Sequence, residues 1–256
     1  NMFNHFQNTI TGWPGGKPGA DDSTRPERKS PNSKRVIIFS PHPDDDVVSM
    51  GGTFDRLVSQ GHEVHIAYQV KGNIAVSDHD ALKFIEVSKD MFKNDSKVPV
   101  SELIKELKNN KPDKIDSQAV RDLKGFIRKR EAIAATRYIG IPDSNTHFMN
   151  LPFYDTGRIK KNPPTKKDVL ITASLIKKIK PHQIFAAGDL EDPHGTHKVC
   201  LDVILDALDT LKGEKFIKDC WLWLYRGAWL DWDVHDIDMA VPMSPAQVLR
   251  KRKAIF

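Results

Sequence analysis

The chain has 256 residues, 39% apolar and 29% charged, enough for one large domain or two small ones with a core of their own. A net charge of +5 is modest, and its dense basic runs lie near the ends, Arg25 to Arg35 and Arg250 to Lys253; this argues for solvated ends and against a nucleic-acid partner. No window approaches the ~18 apolar residues of a membrane span and no secretory h-region opens the chain, so a cytoplasmic protein without a membrane span is expected.

Residues 1–34 mix Gly12, Pro14, Gly15, Gly16, Pro18, Gly19, Pro26 and Pro31 with polar residues. They read as an extended arm or linker without a core, with Phe3, Phe6, Ile10 and Trp13 available to anchor it. Asn1 is not a natural start, so the chain reads as a fragment or carries a cloning remnant, and the linker-like arm fits a preceding domain.

The apolar run over 35–39 lacks alternation and predicts a fully buried strand. Thr53 to Val58 has helical spacing and stops at Gln60-Gly61. Glu63 to Val70 is a second strand, which makes a βαβ unit with parallel pairing. Helices are expected over 79–95 and 101–110, with Pro99 and Pro112 as punctuation. A long helix over 117–138 carries Val120, Leu123, Phe126, Ile127, Ile133, Ala134 and Tyr138 on one side. A strand over 146–151, a helix over 166–180 and a buried strand over 183–188 follow. Val199, Val203, Ile204, Leu208 and Leu211 form the stripe of another helix. Trp221 to Tyr225 is the last strand, and a helix from Pro245 reaches Phe256 without a stop signal, as in a truncated domain. The fold expected is α/β, a Rossmann-like three-layer αβα sandwich with a mainly parallel sheet over 35–256. Cys200 and Cys220 give no disulfide framework and read as buried free thiols.

Two clusters carry the chemistry. Ser40-Pro41-His42-Pro43-Asp44-Asp45-Asp46 places an imidazole and three consecutive carboxylates at a strand end. The carboxylates repel one another, and a bound cation relieves that repulsion. Asp192-Pro193-His194-Gly195-Thr196-His197 lies at the end of the 183–188 strand. His42, Asp44, Asp45, His194 and His197 together suit a divalent metal with an open position for water. Two histidines at i and i+3 share a helix face, one for the metal and one for the substrate, with the assignment open. Asp46, at the helix start, reads as a cap or dipole partner. Asp-rich turns often only cap helices, and neither cluster is decisive alone. The remaining histidines, His5, His62, His65, His79, His147, His182 and His235, have no ligand-like context. Gly51-Gly52 reads as close backbone packing near the site. No GxGxxG is present, which leaves a dinucleotide unsupported.

These motifs resemble the PIG-L/LmbE family of zinc-dependent N-acetylglucosaminyl deacetylases. Its first hallmark, Ala-His-Pro-Asp-Asp-Glu, then Gly-Gly and Gly-His-x-Val, is matched by His42 to Asp46, Gly51-Gly52, Gly61 to Val64 and Gly72. Arg130-Glu131-Ala132 through Gly140 is similar to its Arg-x-Glu helix, and Asp192 to His197 matches its second hallmark, Asp-x-His-x-x-His. Departures are Ser40-Pro41 before the histidine, Asp46 for Glu, and Gly195-Thr196 for Pro-Asp; none removes a ligand. The resemblance implies that His42, Asp45 and His197 bind zinc, with iron or nickel as other divalent metals. It implies Asp44 as general base, His194 as the group on the oxyanion, and Asp192 behind His194. The implied reaction is removal of the N-acetyl group from an N-acetylglucosamine-type sugar or conjugate. The rivals are metal-dependent phosphoester hydrolysis and a non-catalytic sugar-binding module. Segments 73–120 and 152–165 are expected to select the small-molecule substrate. Lys71, Gly72 and Arg158, with Lys160 and Lys161, are candidates to meet it, and a phosphate in particular. Relatives joined to a glucosamine-6-phosphate deaminase-like domain fit the linker-like N-terminus; self-association as a homo-oligomer is left open.

Overall fold

The computed structural model describes residues 9–23, 25–91, 100–111 and 114–255. His5, Phe3, Phe6, Pro99, Pro112 and the end of the helix expected over 79–95 lie outside them.

Five strands form one sheet in the order β3-β2-β1-β4-β5: β1 (Arg35–Ser40), β2 (Glu63–Tyr68), β3 (Thr146–Phe148), β4 (Gln183–Ala187) and β5 (Trp221–Tyr225). Every pairing is parallel. The central strand explains its own sequence. Val36 and Ile38 face one layer, Ile37 and Phe39 the other, and all four are fully buried. A strand covered on both faces has no polar position to alternate with.

The first face is covered by α1 (Asp45–Ser59), part of α4 (Gln118–Ile139) and α7 (Pro245–Ile255). The second face is covered by α5 (Lys166–Ile179) and α6 (Thr196–Leu211). Together they make the three-layer αβα sandwich. α2 (Asp78–Met91) and α3 (Val100–Lys108) pack with α4 around a smaller core of Ala81, Ile85, Leu103, Leu107, Val120 and Ile127. Lys124 ties this unit together, its ammonium 2.6 Å from Asp78 and 2.7 Å from Asp116.

Several expectations shift. The 146–151 strand shortens to Thr146–Phe148, although Met149 and Leu151 still donate to the carbonyls of Tyr68 and Gln69. On α4, Phe126 (63% exposed), Ala134 and Tyr138 lie outside the buried face, which runs through Val120, Ile127, Ala132, Ile133, Ala135 and Ile139. Gly51 and Gly52 do permit close approach, but to Lys251 and Met243 where α7 crosses α1. Cys200 is buried and Cys220 half-buried. Residues 9–23 and 25–34 lie along the domain: Thr11 donates to Ala240 O at 2.9 Å, Gln60 to Gly12 O at 2.8 Å, and Lys34 Nζ to Gly15 O at 2.7 Å. Among the described residues no helix is long and apolar enough to cross a membrane.

Candidate metal centre

The strand order reverses between β1 and β4, because the chain leaves β1 toward β2 and β3, then returns to the other side of β1. In open α/β sheets the crevice at such a switch point, beyond the carboxyl ends of the strands, is where ligands bind. His42 follows β1 there, and His197 stands in the first turn of α6 after β4.

The turn after β1 is fixed by its own polar groups. Ser40 Oγ accepts the N–H of Asp46 at 3.0 Å and lies 2.5 Å from the carbonyl of His42. The Asp45 carboxylate folds back to accept the N–H of His42 at 2.8 Å. Its Oδ2 lies 3.2 Å from His42 Nδ1 and 3.2 Å from His197 Nε2. The imidazole rings are 5.3 Å apart, and one potential ligand atom from each of His42, Asp45 and His197 falls within 4.8 Å of the others. His197 Nδ1 is 3.0 Å from the carbonyl of Asp189. A proton on Nδ1 satisfies that carbonyl and turns the lone pair of Nε2 toward the Asp45 carboxylate. Two electron-rich atoms then meet at hydrogen-bond distance, an arrangement that a shared proton or a cation makes favourable. The donor set of two imidazoles and one carboxylate suits a borderline divalent metal such as zinc.

Electrostatics agree with the geometry. Burial alone would raise the Asp45 carboxyl, but the hydrogen bonds and charges of His197 and His42 hold it well below the usual carboxylate range. Burial alone would lower His197, and Asp45 outweighs it, raising the imidazole.

The other aspartates differ. Asp44 is half exposed, and its Oδ2 lies 2.7 Å from Arg128. Asp46 is not an N-cap. It is fully buried beneath the helix start, where it accepts from Tyr68 at 2.9 Å and meets Ser40 Oγ at 3.2 Å. Burial pushes its carboxyl up to about 7, against the Tyr68 hydrogen bond. Asp192 gives its two oxygens to the N–H groups of Thr196 (2.8 Å) and His197 (3.1 Å). It caps α6 and seats His197; among the described residues His194 makes no hydrogen bond to it and is exposed.

Of the substrate candidates, Gly72 adopts the left-handed conformation (φ +65°) against Pro43, where a Cβ would stand 2.7 Å from Cδ. Lys71 is held by Asp122 at 3.1 Å and Asp155 at 3.4 Å. Arg158 and Lys160 are exposed. Lys161 places its ammonium 3.7 Å from the centroid of the Tyr154 ring, and burial lowers it to about 8. Tyr154 meets His42 edge to face at 6.1 Å, and burial pushes its phenol up to about 12.

Two residues near the site were missed. Arg128 reaches Asp44 and pairs with Glu131 at 2.9 Å; the signal was an Arg three positions before Glu131, on one helical face, rather than the adjacent Arg130. Asp189 orients His197 through its carbonyl. A second acid-histidine group, Asp233, His235 and Asp236, has ligand atoms equally close but is exposed. A larger cavity, about 1080 Å³, lies along β5 by Trp221, Trp223 and Trp232, away from His42 and His197.

The family model for GlcNAc-PI de-N-acetylase, PIG-L, matches residues 37–208. The chain belongs to the PIG-L family. A glucosamine-6-phosphate deaminase-like protein of Bacteroides thetaiotaomicron is 52% identical over 264 residues, covering 100% of this chain and 40% of that protein. The chain thus spans well under half the length of that curated relative. The fold is similar to that of the N,N'-diacetylchitobiose deacetylase from Pyrococcus horikoshii (TM-score 0.51, 18% identity, 88% of this chain and 69% of that one). It is also similar to the A40926 pseudoaglycone deacetylase Dbv21 (TM-score 0.50, 16% identity, 88% and 81%).

Proposed function

We propose that the chain is a metal-dependent hydrolase that removes the N-acetyl group from an N-acetylglucosamine-type sugar or conjugate. The observation that carries this reading is the convergence of His42, Asp45 and His197 beside Asp44 at the β1/β4 switch point. Family membership and the deacetylases that share the fold support the reaction type. His42, Asp45 and His197 would hold the metal, zinc by their donor chemistry, with iron or nickel as alternatives. When bound, such an ion polarises a carbonyl and makes water acidic enough to attack near neutral pH.

The chain's residues supply the rest. Asp44 takes the proton of the attacking water; Arg128 fixes its Oδ2, leaving Oδ1 for that proton. His194, on the exposed loop before α6, donates to the oxyanion that grows from the acetamide carbonyl. Asp192 does not need to touch His194 to help, since it sets the start of the helix from which the loop departs. Tyr154 and Lys161 wall the side of His42. The products are acetate and a free amine. The 1–34 segment as an arm beside a 35–256 deacetylase domain, and a deaminase-like domain joined to it, belong to the same reading; the length of the Bacteroides relative supports the fusion.

The test is to incubate protein loaded with zinc, iron or nickel with N-acetylated sugars and with phosphoesters. Equal amounts of acetate and primary amine are expected. Phosphate release without acetate would favour a phosphoester hydrolase, and binding without turnover a sugar-binding module.

A further inference from the structure

Beside the reaction centre lies a cavity of about 270 Å³ between the end of β3 and the flank of α4. Pro43, Lys71, Phe126, Lys129, Phe148 and Asn150 contribute to its wall, and so does the carboxylate of Asp122, whose charge is taken up by Lys71. Pro43 precedes Asp44 directly, so a group seated here is next to the proposed base. The cavity falls just below the ~300 Å³ lower end of drug-sized pockets, room for one substituent of a substrate.

Its cationic and amide groups are not equally free to bind. Lys71 is already neutralised by Asp122 and Asp155. Arg128, nearby on α4, is likewise committed to Asp44 and Glu131. Lys129 is different: it is only partly exposed, its ammonium lies 4.9 Å from the centroid of the Phe148 ring, and among the described residues it has no carboxylate partner. An ammonium held on an aromatic face in a concave wall keeps a focused positive field. The wall beneath it is stiff, because Phe148 stacks on Tyr68 at 5.1 Å and Tyr68 is bonded to Asp46. Finally, Asn150 holds the left-handed backbone conformation (φ +48°), uncommon for a residue with a side chain. Its exposed amide has no hydrogen-bond partner among the described residues.

We propose that Lys129 and Asn150 are specificity-determining residues that bind a negatively charged group, phosphate or carboxylate, carried by the substrate beside its reacting sugar. The identity of that reacting sugar rests on the function proposed above; the anion subsite rests on the cavity. Lys129 supplies the charge and Asn150 an N–H donor. Anion recognition is thereby placed on the flank of α4 rather than on Lys71 and Arg158.

The test compares kcat/KM for the methyl glycoside of N-acetylglucosamine, N-acetylglucosamine 1-phosphate, N-acetylglucosamine 6-phosphate, and N-acetylmuramic acid as the carboxylate arm. At least one anionic substrate is expected to exceed the neutral glycoside by about 10- to 100-fold, mostly through KM. Lys129→Met keeps the apolar stem over Phe148, and the anionic-to-neutral ratio should collapse toward one. Asn150→Gly suits the left-handed backbone and should lower the ratio several-fold without unfolding the turn. No anionic preference, or a preference that survives Lys129→Met, overturns the proposal. A parallel calorimetric titration with glucosamine, glucosamine 1-phosphate and glucosamine 6-phosphate separates the two claims. Charge-selective binding lost in Lys129→Met, with no acetate released from any sugar, sinks the reaction and keeps the subsite. Acetate release and amine binding that both ignore charge do the opposite.

Discussion

At the carboxyl end of the sheet, His42 and His197 converge on the Asp45 carboxylate. At the amino end, His62 and His182 accept the main-chain N–H groups of Lys34 (3.1 Å) and Arg35 (2.9 Å), and further along the strands His65 and His147 bond to each other at 3.1 Å. Burial disfavours the imidazolium at both ends. Beside Asp45 that effect is outweighed and His197 is raised. For His62 and His147 nothing offsets it: burial, reinforced by Lys34, takes His62 down to about 4, and burial, reinforced by His65 and Lys178, takes His147 down to about 4. Glu63, 3.0 Å from His65 Nε2, offsets burial only in part, and His65 stays lowered. The difference lies in the partner. A main-chain N–H wants a neutral imidazole, whereas the half-buried Asp45 carboxylate shared by two imidazoles wants a cation; the Glu63 carboxylate beside His65 is mostly exposed and shares only one of them.

The strongest way to break the comparison is to remove the histidine that faces the carboxylate. His197→Ala should lower metal affinity by more than the ~10–100-fold typical of losing a supporting group, with deacetylation lost in parallel. Metal analysis after dialysis checks it, and full occupancy would cancel the ligand role. Asp44→Asn should reduce kcat by about 10²- to 10⁴-fold with metal retained; a metal-free variant would make Asp44 a ligand. At the other end, His62→Ala should leave metal content and kcat alone. It orphans the buried N–H of Lys34 at a cost of about 1–3 kcal/mol, seen as a fall of several degrees in Tm.

A further effect is a pH dependence. His62 and His147 titrate near 6.5 when unfolded and near 4 when folded. The unfolded chain therefore binds more protons between those values, so stability from these two groups is complete above pH ~6.5 and falls as the pH drops toward 4. Urea midpoints across that range should decline, and less steeply in a His62→Asn/His147→Asn variant; an equal slope would contradict the assignment.

Much of this division was legible in the chain. The unbroken apolar run from Val36 to Phe39 could only be a strand covered on both faces, and the acid-histidine clusters follow such strands. Local sequence could not say which aspartate would be buried. Asp46 is taken under the helix by Tyr68, a residue of another strand. The choice between Arg128 and Arg130 depended on the phase of α4 against the β1 turn, a tertiary fact. Phe126 misled because an apolar residue at helical spacing can line a cavity as well as a core. Lys71 looked free because Asp122 and Asp155 are remote in sequence.

The most direct measurement is acetate release from N-acetylated sugars by the metal-loaded chain, before and after chelation and after metal is restored. The account predicts acetate and primary amine in equal amounts, abolished by the chelator and recovered with metal. Acetate release that persists undiminished in metal-stripped protein would contradict it.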